Sequence, residues 1–341
     1  MLSLKTAVRT QILLIRFILS ILIFKINQKE SNLELSQRVF YQYGGLPGSL
    51  AGKLLGKKAT YKFSKFVSKD PAREAMLIQK QLVADGFYLE EDFLSRETCS
   101  KIESFSIKSL GSYRLTDQGL GGQTNEFFDR ENPLAVRYDY TPSLILTSPE
   151  IQRVIADPRI LEIAQDYFGR EPIFDFVAMW WHAKSPTPDK NAAQYFHFDM
   201  DRLRWLKFFF YVTDVHSNNG PHVFVPTSHK DNGIPFEIRS LGYTRLTDQD
   251  VSTCFDPSIW KTFTGSAGTM IVEDTRGLHK GAHVQSGARL LFQIQLTTSL
   301  YGSAEERDDM ELNHSCLTEE LKESINKFPY VYQKIKVLNG D

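Results

Sequence analysis

The spacing of hydrophobic and polar residues changes near residue 170, and the change divides the predicted elements into two groups. Before this point apolar residues recur three or four positions apart, which predicts helices over 71–85, from Ser95 onward, and over 148–169 with a break near Pro158. After it, β-branched and aromatic runs separated by turn residues predict strands. These runs are 172–183, 206–215, 221–229, 268–275 and 288–300.

This order of elements predicts the fold class. Helices followed by a run of strands favour an α+β chain whose second half is a β-sandwich or barrel. The strands do not alternate with helices, which disfavours a doubly wound parallel sheet. An amphipathic segment at 317–329 predicts one more helix, packed outside the sheet.

The N-terminal segment 11–25 is strongly apolar, but it is shorter than the roughly 20 residues that a membrane-spanning helix needs. It also lacks the small-residue cleavage site of a signal peptide. Basic residues flank and interrupt it, namely Lys5, Arg9, Arg16 and Lys25. Two interpretations stay open. The helix docks on the protein, which we favour, or it makes a peripheral contact with a membrane surface.

The glycine- and lysine-rich segment 43–58 follows this helix. It has no phosphate-binding GxxxxGK[ST] pattern, and we expect a flexible connector. The chain then divides into three parts. Residues 1–70 hold the apolar helix and the connector, 71–300 form the main domain, and 301–341 form a C-terminal helical tail.

Composition narrows the function classes. The 341 residues are 42% hydrophobic and 24% charged, as in an ordinary globular protein, and the net charge of −1 gives no basic field for nucleic acid. Cys99, Cys254 and Cys316 are far apart in sequence and form no CxxC motif. They fit a reducing compartment, so we expect a cytoplasmic protein, with membrane association through the N-terminal helix as the open alternative. No feature indicates the oligomeric state.

The candidate chemistry begins with His197 and Asp199, directly before the apolar run 206–215. Residues i and i+2 of a strand share a face, so this imidazole and carboxylate would reach one point together. Two histidines and one carboxylate on one face are the donor set of non-haem Fe(II) oxygenases. His229 and Asp231 repeat the spacing, but they lie among turn residues and we interpret them as a loop.

A second histidine and an arginine follow two later strands. His279 comes after the run 268–275, and Arg289 opens the run 288–300. A guanidinium entering so apolar a strand is costly unless an anion meets it. The anion is either a ligand carboxylate or a buried Asp or Glu, and the residues alone favour neither.

The order of these motifs resembles one family. The stretches "HFDMD", "LKFFFYVTDVHSNNGPHVFVPTSHK", "DTRGLHKG" and "GARLLFQIQ" are similar to the phytanoyl-CoA dioxygenase family of Fe(II)/2-oxoglutarate oxygenases, and the resemblance covers about residues 72–300. It implies a double-stranded β-helix, a jelly-roll or cupin-like barrel, with flanking N-terminal helices.

The resemblance also implies roles for individual residues. His197, Asp199 and His279 match the iron ligands, and Arg289 matches the arginine that holds 2-oxoglutarate. Asp201 shares the strand face of Asp199, and the family spacing selects Asp199. The implied cofactors are Fe(II), 2-oxoglutarate and O2. The implied reaction is hydroxylation of a small-molecule or lipid-like substrate with release of succinate and CO2.

Three polar or aromatic residues are candidates for the substrate pocket, namely Trp181, Gln194 and Trp205. Plain core packing is the alternative for each tryptophan. Two other functions stay open at this point. One is a non-catalytic jelly-roll module that binds a metal or ligand, and the other is zinc-dependent hydrolysis on the same donor set.

Overall fold

A computed structural model describes residues 4–26, 32–63, 71–113, 124–302 and 310–339. The helices are α1 (Leu4–Ile26), α2 (Leu33–Tyr43), α3 (Leu46–Leu55), α4 (Pro71–Asp85), α5 (Arg96–Ile107), α6 (Pro142–Ile145), α7 (Pro149–Ile155), α8 (Pro158–Phe168), α9 (Phe236–Arg239), α10 (Asp248–Ser252) and α11 (Glu319–Lys327). The strands are β1 (Phe87–Glu90), β2 (Leu110–Tyr113), β3 (Thr124–Phe127), β4 (Arg137–Tyr140), β5 (Ile173–Ala183), β6 (Trp205–Tyr211), β7 (His222–Phe224), β8 (Lys261–Phe263), β9 (Met270–Glu273), β10 (His279–Gly281), β11 (Ala288–Thr297), β12 (Met310–Asn313) and β13 (Ile335–Leu338).

The strands form two antiparallel sheets and a small parallel pair. The larger sheet has eight strands in the order β1-β9-β6-β11-β5-β4-β2-β3, and the smaller has the order β10-β7-β8. Strands β12 and β13 pair in parallel. The predicted mixture of helices and antiparallel strands is confirmed, whereas closure of the two sheets into a jelly-roll barrel stays a prediction.

Strand β6 explains why the central strands are continuously apolar in sequence. All seven of its residues are buried. Alternate side chains point to opposite faces. Phe208 and Phe210 enter the large core shared with the helices. Phe209 and Tyr211 enter a second core, where Phe224 of the smaller sheet also packs. Both faces of the sheet are therefore covered.

Local sequence signals set the helix ends. Ser95 caps α5, since its side chain accepts a hydrogen bond from the backbone N–H of Thr98. The predicted helix over 148–169 is divided into α7 and α8, because Pro158 cannot continue a preceding helix. Asp157 then caps α8. These predictions are confirmed.

Helix α1 docks on the protein through one face. Phe17, Ile21 and Phe24 are buried in a cluster with Val39 of α2 and with Tyr301. The Ser20 hydroxyl lies 2.7 Å from the Tyr301 hydroxyl, within hydrogen-bond distance. The docked interpretation is therefore confirmed for this face. No helix in the described ranges is long and apolar enough to cross a bilayer.

The prediction of a flexible connector over 43–58 is wrong for much of its length. Helix α3 occupies Leu46–Leu55, with Pro47 in its first turn. Proline suits this position because its fixed φ angle is already helical and its missing N–H would have no partner there. The glycine content obscured apolar residues at helical spacing, among them Leu50 and Leu54.

Gly268 gives the first testable prediction. It has φ +105° before strand β9, and a Cβ added there would lie 2.2 Å from the carbonyl oxygen of Leu94. Gly287 also has a positive φ, +67°, but an added Cβ would meet nothing within 4 Å. We expect Gly268→Ala to lower the free energy of unfolding by more than about 3 kcal/mol, because backbone must shift.

Gly287→Ala is the matched control and is expected to cost about 1 kcal/mol from backbone strain alone. Urea unfolding followed by circular dichroism measures both variants. Equal losses would show that the close approach of Leu94 and Gly268 relaxes without cost.

Candidate metal centre

The two segments that carry the histidines are hydrogen-bonded to each other. The backbone N–H of His197 donates to the carbonyl oxygen of His279 at 3.0 Å, and the reverse bond is 2.9 Å. The N–H of Asp199 donates to the carbonyl oxygen of Thr275 at 2.8 Å. This antiparallel pairing sets His197 directly opposite His279, although they are 82 positions apart in the printed sequence.

Three side chains converge at this pairing. One donor atom each from His197, Asp199 and His279 lies within 4.8 Å of the other two. The Nε2 atoms of His197 and His279 are 3.9 Å and 3.5 Å from carboxylate oxygens of Asp199. All three residues are buried. The donor set predicted from the sequence therefore forms a cluster.

Hydrogen bonds fix which nitrogen of each imidazole faces the cluster. Nδ1 of His197 lies 3.0 Å from the carbonyl oxygen of Tyr195, and Nδ1 of His279 lies 2.9 Å from that of Gly277. A carbonyl oxygen only accepts, so each Nδ1 carries the proton and each Nε2 presents its lone pair to the cluster. Burial lowers the pKa of both histidines. Neutral imidazole is the form that binds a metal.

Lys207 keeps Asp199 ionised. Its Nζ donates to Oδ2 of Asp199 at 2.6 Å from the middle of strand β6. Burial alone would raise the pKa of Asp199, but the charge of Lys207 and its hydrogen bond outweigh burial, so the pKa lies well below its usual range. No sequence pattern assigns Lys207 a role, because it is a single polar residue in an apolar run.

Arg289, the second residue of β11, is also fully buried. It donates from Nη1 to the carbonyl oxygen of Gly220 and from Nη2 to Nδ1 of His182 at 2.8 Å. Strand register puts Arg289 opposite His182. Its Nε is buried without a hydrogen-bond partner among the described residues. These neighbours are neutral, and no carboxylate of the described residues forms an ion pair with the guanidinium.

His222 lies beside the cluster and is affected by the charge of Arg289. Its ring is 5.6 Å from that of His279 and nearly parallel to it. Its Nε2 lies 2.8 Å from a carboxyl oxygen of Glu273. Burial, with the positive charge of Arg289 next, lowers the pKa of His222 to about 3. Burial raises the pKa of Glu273 to about 8, so a protonated Glu273 donates to His222 at neutral pH.

The two tryptophans predicted to line the substrate pocket lie in different core clusters. Trp181 stacks on Phe128 at 4.3 Å in the core between sheet and helices, on the opposite face of β5 from His182, so its assignment to the pocket is wrong. Trp205 is buried with Phe198 in a separate core cluster, and its Nε1 donates to Thr275.

Gln194 stays a candidate for the substrate pocket. Its side-chain oxygen accepts from the backbone N–H of Asp189 at 2.8 Å. Its Nε2 is buried without a hydrogen-bond partner in the described part of the chain. Tyr243 also lies near the cluster, although sequence analysis did not identify it. Its ring centroid is 6.4 Å from that of His197, and its side chain is half-exposed. Tyr243 lies in a loop without a recognisable motif.

The interpretation of the second HxD pair, His229 and Asp231, as loop residues is confirmed. His229 and Asp231 lie in consecutive turns between β7 and α9 and are not part of the cluster. His229 is buried, with Nε2 3.3 Å from the carbonyl oxygen of Val83.

Comparisons with known proteins complete the description. No family model matches the sequence, so the resemblance to the phytanoyl-CoA dioxygenase family is not confirmed by that comparison, and no curated protein matches it either. Some solved structures are similar over much of the chain. EctD from S. alaskensis with 2-oxoglutarate and 5-hydroxyectoine is 16% identical, with a TM-score of 0.48 over 74% of this chain and 87% of that chain.

Two further structures are similar to a comparable degree. The non-heme alpha ketoglutarate dependent epimerase SnoN from nogalamycin biosynthesis is 15% identical, with a TM-score of 0.47 over 70% of this chain and 90% of that chain. HygX from Streptomyces hygroscopicus, with nickel and 2-oxoglutarate bound, is 17% identical, with a TM-score of 0.45 over 74% of this chain and 94% of that chain.

Proposed function

We propose that this protein is an Fe(II)- and 2-oxoglutarate-dependent dioxygenase of the phytanoyl-CoA dioxygenase type, with its two sheets arranged as a jelly-roll barrel. The observation that carries the proposal is the buried cluster of His197, Asp199 and His279. Two neutral imidazoles and one carboxylate are the donors that such enzymes use on one face of iron.

The residues present fit the metal. Both Nε2 lone pairs and the Asp199 carboxylate face a common point, and the backbone carbonyl bonds hold the rings in that orientation. With Fe(II), 2-oxoglutarate and O2 bound, the site would supply oxidation of a substrate C–H bond coupled to decarboxylation of the keto acid to succinate and CO2. Asp199 supports hydroxylation, since the related halogenases lack this carboxylate.

Arg289 supports 2-oxoglutarate as the cosubstrate. Its free Nε and its neutral neighbours leave the guanidinium without a counter-charge among the described residues. A carboxylate would match both its charge and its fork of donors. A zinc hydrolase has no need of a buried arginine for a second carboxylate, so this residue favours the oxygenase.

The substrate is proposed to be a small-molecule or lipid-like compound. Tyr243 is half-exposed and lies beside His197. It would therefore contact the substrate at the opening of the site. Gln194, with its free Nε2, would offer one hydrogen-bond donor inside.

Succinate formation tests the proposal. Purified protein with Fe(II), ascorbate and 2-oxoglutarate is expected to release succinate in an O2-dependent reaction, and His197→Ala is expected to reduce the release to background. A wild-type protein that binds Fe(II) but forms succinate no faster than His197→Ala would instead be a non-catalytic binding module.

Arg289 gives a separate prediction. Arg289→Lys keeps the charge but loses the two-donor fork, so the KM for 2-oxoglutarate is expected to rise roughly 10- to 100-fold while kcat changes less than about threefold. Steady-state succinate assays over a range of 2-oxoglutarate concentrations measure both constants. Arg153→Lys, on the exposed side of α7, is the control. An unchanged KM would assign Arg289 to the fold alone.

A further inference from the structure

The outward face of α1 is apolar, which is unusual for a helix at a protein surface. Its inward face already packs Phe17, Ile21 and Phe24 against the protein. Seven large aliphatic residues on the remaining surface are 46–88% exposed in the described part of the chain, namely Ile12, Ile15, Ile18, Leu19, Leu22, Ile23 and Ile26. The docking of α1 therefore buries only a minority of its large apolar side chains.

Helix α3 extends this surface. Leu46, Leu50 and Leu54 are four positions apart and at least half exposed. An apolar groove of about 490 Å³ separates this row from α1, with Ile18 and Leu22 on its other side. We call these three leucines and the seven residues of α1 the N-terminal apolar face. Contiguous apolar patches of this kind mark sites of interaction with a partner or a membrane.

Charge distinguishes between these partners. Residues 1–63 contain ten Lys and Arg but only two Glu and no Asp, whereas the whole chain has a net charge of −1. Arg9, Arg16, Lys25 and Lys53 are exposed on α1 and α3 themselves. A second copy of the chain would bring the same positive charge to the contact. An anionic lipid surface complements both the charge and the apolar side chains.

The structure holds this face in place without a partner. The Tyr43 hydroxyl donates to the carbonyl oxygen of Thr10 at 2.5 Å, which ties α1 to the end of α2. The backbone N–H of Gly45 donates to the carbonyl oxygen of Asp231 at 2.6 Å, which ties the start of α3 to the main domain. Binding would therefore need no refolding of these helices.

We propose that the N-terminal apolar face binds the surface of an anionic lipid bilayer, with α1 and α3 lying in the plane of the interface. The aliphatic side chains enter the acyl boundary, and the basic residues meet the headgroups. The proposal does not depend on the reaction catalysed by the protein.

Vesicle co-sedimentation of the full-length protein tests this proposal. We expect binding to vesicles of phosphatidylcholine mixed with phosphatidylserine, and at least about tenfold weaker binding to phosphatidylcholine alone or at high salt. The combined variant Ile15→Gln, Leu22→Gln and Leu50→Gln is expected to weaken binding to the mixed vesicles at least about tenfold. Because these side chains are exposed, the variant should fold normally, which circular dichroism checks.

A matched control changes three exposed leucines elsewhere. Leu110→Gln, Leu134→Gln and Leu241→Gln together are expected to leave vesicle binding unchanged. Wild-type protein that stays in the supernatant with the mixed vesicles would overturn the proposal. So would a dimer in solution that the first triple variant converts to a monomer without any vesicle binding, since the face would then be a contact between two copies.

Discussion

Asp199→Ala is expected to abolish tight Fe(II) binding and to lower succinate formation from 2-oxoglutarate at least about 100-fold. Asp199 is the only carboxylate that the described residues contribute to the cluster. Its loss leaves two neutral imidazoles, while the positive charge of Lys207 stays beside the metal position. Anaerobic calorimetric titration with Fe(II) measures binding, and the succinate assay measures turnover.

Asp201→Ala is the control that the sequence itself provides. Asp201 lies two positions further on and contacts Lys207 at 3.3 Å, but it is outside the cluster. We expect iron binding and turnover within about fivefold of wild type, since only the neighbourhood of Lys207 changes. The reverse result, with Asp201→Ala inactive and Asp199→Ala active, would show that the wrong carboxylate has been assigned.

Asp175→Ala is expected to lower the free energy of unfolding by about 3–5 kcal/mol, because it removes the counter-charge of a buried arginine. Asp175 lies on β5 and accepts from Nε and Nη2 of Arg202 at 2.9 Å and 2.5 Å. It also accepts from Gln295 at 2.8 Å. Both charged side chains are almost completely buried. Urea unfolding monitored by tryptophan fluorescence measures the loss.

Asp139→Ala breaks a bidentate pair of the same chemistry at the surface. Asp139 accepts from Nε and Nη2 of Arg137, but half of its side chain is exposed. Water can solvate both charges, so the expected loss is below about 1 kcal/mol. Similar small losses for Asp175→Ala and Asp139→Ala would mean that water reaches Arg202 once the carboxylate is removed.

The central strands could be predicted from the sequence because both of their faces are covered. The runs 172–183 and 288–300 contain β5 and β11, and the run 206–215 covers all of β6 except Trp205. Continuous apolar character separated by turn residues is a signal that needs no tertiary information. Strands β2 and β3 lack such runs; β3 is an edge strand of the sheet and β2 is its neighbour, so no apolar pattern predicts them.

The cluster could be predicted in part for a similar reason. His197 and Asp199 have a spacing that local geometry makes meaningful, and His279 follows a clear strand. The partners of Arg289 could not be predicted in this way. His182 meets Arg289 because of the register between β5 and β11, and a sequence pattern does not contain that register.

The error at Trp181 has the same origin. Trp180 and Trp181 adjoin on β5, so one must face each side of the sheet. A shift of one residue exchanges them. Trp180 contacts the ring of His182, whereas Trp181 packs under the helices. The role of Lys207 could not be predicted for a different reason. It depends on a hydrogen bond to the Asp199 carboxylate, and only the folded chain brings the two side chains together.

The tie between α3 and the main domain has a consequence for any shortened version of the protein. The Ser49 hydroxyl donates to Asp231 and accepts from Nη1 of Arg276, three positions before His279. Phe40 of α2 packs against Phe198, which lies between His197 and Asp199. A polypeptide trimmed to start at residue 71 would lose the side chains that pack behind the segment carrying His197 and Asp199. The amino-terminal helices therefore belong in every recombinant form intended for enzymology.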